Sequence, residues 1–173
     1  MEKHTQTLSR GAKCVRCRAQ AEIHLPSHHA NFCPGCFLLF FQRAVARGLK
    51  HIPIETSTPL MVAVSGGKDS LALWQVLTDL GYHTRGLHLD LGLGDFSRDS
   101  LETVANFARE RDLNWQSYSL KQEFGFSMQE IDRILRGKTC AFCGRLKRGF
   151  LNRLTARQGF SVLVTGHHLE DEA

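Results

Sequence analysis

From residue 60 onward, short runs of strand-forming residues alternate with longer stretches whose apolar positions recur at helical spacing. An unbroken apolar run is typical of a strand buried on both faces. The runs that predict strands are Met61–Val64, His83–Asp90, Asn114–Leu120 and Ser161–Thr165. The first predicted helix begins at Asp69. The other three are about Arg98 to Arg111, after a Ser97 cap, then Met128–Leu135 and Gly144–Gln158. This alternation predicts an α/β domain in which right-handed crossovers build a parallel sheet with helices on both faces.

The pattern before residue 60 is different. Phe37–Lys50 predicts a helix that is apolar on one side and ends near Gly48. His51–Pro59 contains two prolines among several Thr and Ser residues, the composition of a linker. We therefore expect three segments, a cysteine-containing module with its helix (residues 1–50), a linker (51–59) and the α/β domain (60–173). Because Ala173 follows directly on the start of a further helix, we expect this domain to be incomplete at its C-terminus.

Four of the six cysteines form two CxxC pairs that are separated by fifteen residues. This spacing is typical of zinc sites, in which four thiolates surround one ion and supply folding energy to a small module. The predicted ligands are Cys14, Cys17, Cys33 and Cys36. The intervening histidines His24, His28 and His29 are the alternative ligands, although a complete cysteine set favours reading them as surface groups.

The first predicted strand runs into the sequence Ser-Gly-Gly-Lys-Asp-Ser and then into a helix. Paired glycines allow the backbone to approach an anion closely, and a helix N-terminus adds N–H donors and a favourable dipole. The segment therefore predicts a phosphate site, although its spacing differs from the Walker pattern. A glycine-rich turn with no ligand is the alternative. Because ligands gather at the carboxyl ends of parallel strands, the predicted binding residues for a phosphate-bearing ligand such as ATP are Ser65, Gly66, Gly67, Lys68, Asp69, Ser70, Asp90 and Gly166.

Charge is unevenly distributed in this chain of net charge +5 and pI near 9.0. Eight basic residues lie between Ile131 and Arg157, against the single acid Asp132. Such a bias favours a polyanion as partner, with a solvated helix face as the alternative. The predicted RNA-binding residues within this stretch are Arg145, Arg148 and Arg153. No apolar run reaches the length of a membrane span and no signal-like segment opens the chain, so we expect a cytoplasmic protein without a membrane partner.

A third CxxC pair, Cys140 and Cys143, is followed by Gly144 and Lys147 at the start of a basic helix. A helix N-terminus lowers thiol pKa, which favours metal binding or sulfur chemistry; two inert buried cysteines are the alternative. Near Ala173, the carboxylates of Glu170 and Asp171 could hold the Mg²⁺ that accompanies ATP, or could simply form an acidic first helical turn.

The motifs SGGKDS, CxxCGxxK and TGHxxxDEA, in this order behind a four-cysteine knuckle, resemble the tRNA 2-thiolation enzymes of the TtuA type, which belong to the PP-loop ATP pyrophosphatases. The resemblance covers Cys14 to Ala173. It implies that ATP adenylates the 2-carbonyl oxygen of a tRNA uridine, that sulfur then replaces AMP, and that a 4Fe-4S cluster holds or relays the sulfide. By the matching motifs, Cys140 and Cys143 would be cluster ligands beside a third, downstream cysteine, and Lys147 and Asp171 would be the catalytic lysine and acid.

The resemblance also implies tRNA as partner, a sulfur donor that is either a small thiocarboxylated carrier protein or sulfide, and a homodimer. The pair His167-His168 is closer to the related cytidine 2-thiolating enzymes, so the modified base stays open between uridine and cytidine. Two other functions are considered, a PP-loop ligase of the amidating or lysidine-forming kind and a zinc-knuckle RNA-binding protein whose loop only senses a nucleotide.

Overall fold

The computed structural model describes residue 8 and residues 11–135 and 139–166, without the side chains of residues 135–142. The described backbone divides into two compact units, one ending at Ile54 and the other beginning at Glu55. The division into residues 1–50, 51–59 and 60–173 stays a prediction. No described helix combines the length and the hydropathy that crossing a bilayer requires.

The first unit is a small hairpin followed by one helix. Strands β1 (Ile23–Leu25) and β2 (Ala30–Phe32) pair antiparallel, and a single 3-10 turn at Pro26–His28 connects them. Helix α1 (Pro34–Leu49) begins three residues before the predicted Phe37, because a proline is well suited to the first helical position. Phe32 is buried against the ring of Phe40, at a centroid distance of 5.3 Å, whereas no residue of α1 is fully buried.

The second unit confirms the predicted parallel α/β fold. Its strands are β3 (Leu60–Ala63), β4 (Thr84–Asp90), β5 (Trp115–Ser119) and β6 (Val162–Thr165), and the order across the sheet is β5-β4-β3-β6, all parallel. The helices are α2 (Lys68–Asp79), α3 (Asp95–Glu110), α4 (Leu120–Phe124), α5 (Met128–Leu135) and α6 (Thr139–Arg157). The chain proceeds outward from β3 through β5 and then returns to β6 on the other side of β3. A crevice for ligands therefore opens at the carboxyl ends of β3 and β6.

Alternate residues of the strands face opposite layers of helices. On one face, Met61 and Leu87 pack against Phe150, Leu151 and Leu154 of α6. On the other face, the fully buried Trp74 of α2 lies over Gly86 of β4, and its ring lies 5.9 Å from the ring of Phe107 in α3. The predicted coverage of both sheet faces by helices is thus present in this unit.

In the second unit, two helices begin several residues before their predicted starts, and one short helix was not predicted. Helix α3 begins at Asp95 rather than Arg98, because Gly94 with φ +63° provides the turn, and the Ser97 hydroxyl accepts the Leu93 N–H instead of capping the helix. Helix α6 begins at Thr139 rather than Gly144, so its backbone already includes the third CxxC pair. The short helix α4 was not predicted, because its five residues are too few to show a helical period.

Gly86→Ala tests the contact between Trp74 and the sheet. An added Cβ would lie 2.7 Å from the Trp74 ring and 3.0 Å from Trp115 Cβ. We expect a loss of about 1–3 kcal/mol in the free energy of unfolding, measured by urea denaturation, because a buried Trp cannot yield easily. Gly149→Ala in α6 is the control, since its Cβ meets nothing within 4 Å and the change should stabilise the helix by about 0.5–1 kcal/mol. Equal effects of the two substitutions would contradict this packing.

Candidate active site and metal centre

The loop between β3 and α2 has the geometry of an anion cradle. The strand ends at Ala63, and the helix begins at Lys68 with Gly67 as its N-cap and no side chain capping it. An uncapped N-terminus leaves the first N–H groups and the positive end of the helix dipole directed towards the loop. The sequence placed this helix start at Asp69, one residue further on.

Hydrogen bonds between the two serines hold the loop in shape. The Ser70 hydroxyl donates to Gly67 O at 2.9 Å, so it must accept both the Ser65 N–H at 3.2 Å and the Ser65 hydroxyl at 3.3 Å. The Ser65 hydroxyl in turn accepts the Gly67 N–H at 3.4 Å. That last bond is the longest of the set, so an incoming phosphate oxygen could readily replace it as acceptor.

Glycines bring neighbouring segments into backbone contact with the loop. Gly66 has φ +78°, and a Cβ on it would lie 3.0 Å from the backbone oxygen of Ser100 in α3. A Cβ on Gly166, after β6, would lie 3.0 Å from the backbone nitrogen and Cα of Ser70. The loop, α3 and the end of β6 therefore meet more closely than any larger residue at these two positions would permit.

Lys68 provides the mobile charge of the loop. Its side chain is 85% exposed, and its Nζ lies 2.6 Å from a carboxylate oxygen of Asp69. Exposed ion pairs of this kind contribute little to stability. The ammonium group is therefore available to exchange this partner for a phosphate oxygen.

Asp90 lies at the carboxyl end of β4, but its carboxylate already accepts the Gly92 N–H at 2.8 Å. It also lines a neighbouring cavity of about 370 Å³, formed between α3, α4 and α5. The charged residues of this cavity are Asp90, Arg98, Lys121, Glu130 and Arg133. Sequence analysis missed the cavity because residues from three separate helices line it.

Within this cavity, Glu130 is held as a carboxylate. The backbone N–H of Ser127 donates to it at 2.6 Å and the Ser127 hydroxyl donates at 3.0 Å, and these bonds lower the pKa of Glu130. Glu130 N–H donates back to the Ser127 hydroxyl at 3.2 Å, which completes a capping box at the start of α5. Lys121 adds an ion pair to Glu130 at 3.3 Å.

Helix α6 carries the predicted chemistry on one side and the predicted RNA-binding residues on the other. Cys143 and Lys147 are half-buried and continue, at helical spacing, the stripe that includes Phe150, Leu151 and Leu154 of the core. Because a crossover helix runs opposite to its strands, this end of α6 lies towards the carboxyl edge of the sheet. Arg145, Arg148 and Arg153 are all exposed.

Several predicted site residues fall outside what the structure describes. Cys140 lies one helical turn before Cys143, and its side chain is among those not described. The residues His167, His168, Glu170 and Asp171 lie outside the described residues altogether. The predicted catalytic acid and magnesium ligands therefore stay predictions.

In the first unit, the hairpin brings four cysteines together. The sulfurs of Cys14, Cys17, Cys33 and Cys36 all lie within 4.8 Å of one another. Four sulfurs around a zinc ion at bonding distance are about 3.8 Å apart, so a small contraction would close the tetrahedron. The donor set thus fits a structural zinc ion. The intervening His24 instead bonds the Asn31 side chain at 2.7 Å.

The thiols of this cluster differ in acidity. Burial by itself raises the pKa of the Cys14 thiol, but hydrogen bonds from the backbone of Cys17, Cys33 and Arg16 outweigh it and lower the pKa from 9.0 to about 6. Hydrogen bonds with the Cys17 and Cys33 side chains raise the pKa of Cys36 to about 12. Hydrogen bonding within the group thus lowers the pKa of one thiol and raises the pKa of its neighbour, and a bound cation would displace the shared protons.

Two polar residues of the second unit were missed by the sequence analysis. His88 of β4 and Ser100 of α3 connect to the loop through hydrogen bonds, although they lie 23 and 35 residues beyond Ser65. A histidine between two leucines, Leu87 and Leu89 of β4, was the available sequence signal.

Comparisons with known proteins agree with this geometry. Residues 13–38 match the family described as 2-thiouridine synthetase TtuA, N-terminal LIM domain, and residues 38–173 match the PP-loop domain family. A tRNA-5-methyluridine(54) 2-sulfurtransferase from Thermus thermophilus is 40% identical over 92% of this chain and 50% of its own length. Cytoplasmic tRNA 2-thiolation protein 1 from Chlamydomonas reinhardtii is 31% identical over 92% of this chain and 47% of its own length.

A solved structure supports the fold. The U34-tRNA thiolase NcsA from Methanococcus maripaludis, described with its [4Fe-4S] cluster, superposes with a TM-score of 0.79 over 92% of this chain and 54% of that one, at 24% identity. The chain spans about half the length of the curated relatives that it matches. The match over residues 38–173 shows that the chain belongs to the PP-loop family, and residues 13–38 match the N-terminal domain of the TtuA type.

Proposed function

We propose that this chain is the nucleotide-binding part of a tRNA 2-thiolation enzyme. In the proposed reaction, the 2-carbonyl oxygen of a tRNA pyrimidine, taken as uridine from the names of the relatives, attacks the α-phosphorus of ATP and pyrophosphate leaves. Sulfur then adds to the activated carbon, and AMP departs with the former carbonyl oxygen. The observation that carries the proposal is the arrangement of the anion cradle and the Cys143–Lys147 stripe of α6 at the same edge of one sheet.

The loop residues would bind the phosphates. The N–H groups at the start of α2 and the hydroxyls of Ser65 and Ser70 offer hydrogen bonds, and Lys68 offers a positive charge. Gly66 and Gly166 keep the approach free of Cβ atoms. Asp171 with Glu170 would bind Mg²⁺, an ion that prefers carboxylate and phosphate oxygens. Together these groups would stabilise the charge that develops as pyrophosphate leaves.

Helix α6 would serve the sulfur step. Lys147, half-buried on the core-facing stripe, would offset negative charge at the α-phosphate. Cys140 and Cys143, one turn apart at the start of the helix, fit two thiolate ligands. A 4Fe-4S cluster bound there with one further ligand would supply an iron that holds sulfide, delivered as such or by a thiocarboxylated carrier protein.

The remaining parts of the proposal concern partners. The exposed Arg145, Arg148 and Arg153 would contact tRNA phosphates, which makes binding depend strongly on salt. The four-cysteine module would hold Zn²⁺ as a structural ion. A cytoplasmic location is supported by the names of relatives such as cytoplasmic tRNA 2-thiolation protein 1. A homodimer stays an expectation from the resemblance.

Lys147→Ala tests the charge role in adenylation. The protein is prepared anaerobically, and AMP release and thiolated tRNA are measured with ATP, sulfide and tRNA. We expect kcat to fall about 10²–10³-fold, the usual effect of losing one donor to a developing anion. Arg109→Ala is the control. It removes an exposed cation from a different helix, α3, and should leave the rate unchanged. A Lys147→Ala variant with normal turnover would remove this residue from the mechanism.

Cys143→Ala separates the sulfur step from nucleotide binding. We expect the variant to lose thiolated tRNA while its affinity for ATP stays within twofold of the unmodified protein, because the loop at Ser65–Ser70 is built without α6. Iron content should fall in parallel. Thiolation that persists in Cys143→Ala would rule out a cluster at this position, and a protein that never converts ATP to AMP would refute the proposed function.

The zinc assignment is tested by metal analysis of the purified chain. We expect one zinc ion per chain, with less than half retained in Cys14→Ser, because an incomplete thiolate set binds far more weakly. Cys143→Ser is the matched control, since it removes a thiol outside the four-cysteine group and should retain the zinc. Affinity should weaken as the pH falls, because protons compete for the same sulfurs. Full zinc content in Cys14→Ser would contradict a four-cysteine site.

A further inference from the structure

His88 is a buried polar residue in the middle of β4 for which the proposed reaction gives no role. It is 2% exposed, and both of its ring nitrogens have hydroxyl partners. Nδ1 lies 3.0 Å from the Ser117 hydroxyl of β5, and Nε2 lies 3.1 Å from the Ser100 hydroxyl of α3. A fully partnered imidazole at such a position fixes the orientation of both serines.

The direction of these hydrogen bonds follows from one carbonyl group. The Ser100 hydroxyl donates to the backbone oxygen of Ser65 at 2.7 Å, and a carbonyl can only accept. Since this uses the single hydroxyl hydrogen of Ser100, His88 Nε2 must carry a hydrogen and donate to Ser100. Burial lowers the pKa of His88, with the Asp90 carboxylate opposing this, so the ring is neutral and its Nδ1 accepts from Ser117. The chain of donors thus runs from Ser117 through His88 and Ser100 to Ser65.

This series of hydrogen bonds ends at Ser65, the first residue of the phosphate cradle. Ser65 is held from the α2 side by the Ser70 hydroxyl, and from the α3 side by Ser100. The same Ser100 residue lies directly beneath Gly66, where its hydroxyl oxygen would be 3.0 Å from an added Cβ. Ser100 therefore both binds Ser65 and supports the left-handed turn of Gly66. Removing it would free the loop on one side only.

We propose that Ser100, oriented by His88, is the positioning residue that fixes the cradle in its phosphate-binding conformation. Neither residue needs to touch the nucleotide, because both act through the Ser65 carbonyl and the Gly66 backbone. This inference rests on the proposed function in one respect, that the anion held by the loop is the triphosphate of ATP. The loop geometry itself does not depend on what the ligand is.

The test compares substitutions that keep or remove the donor to Ser100. His88→Gln can present an amide N–H near the Nε2 position, whereas His88→Asn reaches only the Nδ1 position and loses that donor. Ser100→Ala removes the last bond at a half-buried site of α3, where the fold should tolerate it. Thr103→Ala is the control, because its hydroxyl donates to Asp99 O within the same helix, at 2.7 Å.

Two quantities are measured on the whole chain, the affinity for Mg-ATP by calorimetry and the exchange rates of the Gly66 and Gly67 amides by NMR. We expect Ser100→Ala and His88→Asn to weaken ATP binding about five- to tenfold, the range of one hydrogen bond, and to accelerate exchange at the loop. His88→Gln and Thr103→Ala should stay within about twofold of the unmodified chain. The double variant His88→Asn with Ser100→Ala should bind ATP no more weakly than Ser100→Ala alone.

Three results would overturn the inference. These are a Ser100→Ala variant that matches Thr103→Ala in both measurements, a His88→Gln variant that loses as much affinity as His88→Asn, and additive losses in the double variant. A purely structural role of His88 would lower the thermal midpoint without a selective change at the Gly66 and Gly67 amides. If the unmodified chain binds no ATP, the proposed function fails, and the exchange rates alone then decide the positioning role.

Discussion

The close approach of three backbones at the carboxyl ends of β3 and β6 is the constraint on which the site depends. The loop at Gly66 contacts the backbone and the short side chain of Ser100 in α3, and the segment at Gly166 contacts the backbone of Ser70 in the first turn of α2. A phosphate cradle needs N–H groups that are held in place before the anion arrives, because ordering them on binding would cost affinity. The parallel sheet supplies this rigidity. Strand β3, which precedes the loop, is paired in register with β4 on one side and with β6 on the other.

The two layers of helices contact different parts of the site. Helices α2 and α3 meet the loop from one face of the sheet and determine its shape through Ser70 and Ser100. Helix α6 packs on the other face through Phe150, Leu151 and Leu154, and this stripe continues to Lys147 and Cys143. The outer side of α6 carries the exposed Arg145, Arg148 and Arg153. One amphipathic helix can thus combine a core contact, a half-buried thiol and amine, and a basic surface, because these occupy different angular positions around it.

The first unit has too small an apolar core to be stable by burial alone. Its described buried apolar residues are few, with Cys14, Ala21 and Phe32 as the members below a tenth exposure, so burial of apolar surface contributes little to its stability. Four sulfurs within 4.8 Å would repel one another as thiolates without a cation. A bound metal ion would convert that repulsion into folding energy, which is why such small modules carry cysteine pairs in place of a larger core.

The sequence by itself determined the four strands and most of the helices of the second unit. The four predicted strands match the observed ones to within one residue at each end, because an apolar run between turn signals is a local property. The SGGKDS segment and the spacing of the first two CxxC pairs were equally local. Helix starts were less accurate, as at Asp95 and Thr139, because caps depend on single backbone conformations. Only the tertiary structure decided the strand order, the cavity beside Asp90 and the hydrogen-bond chain from His88 to Ser65. Those contacts join residues that are distant along the chain, so no periodicity in the sequence could record them.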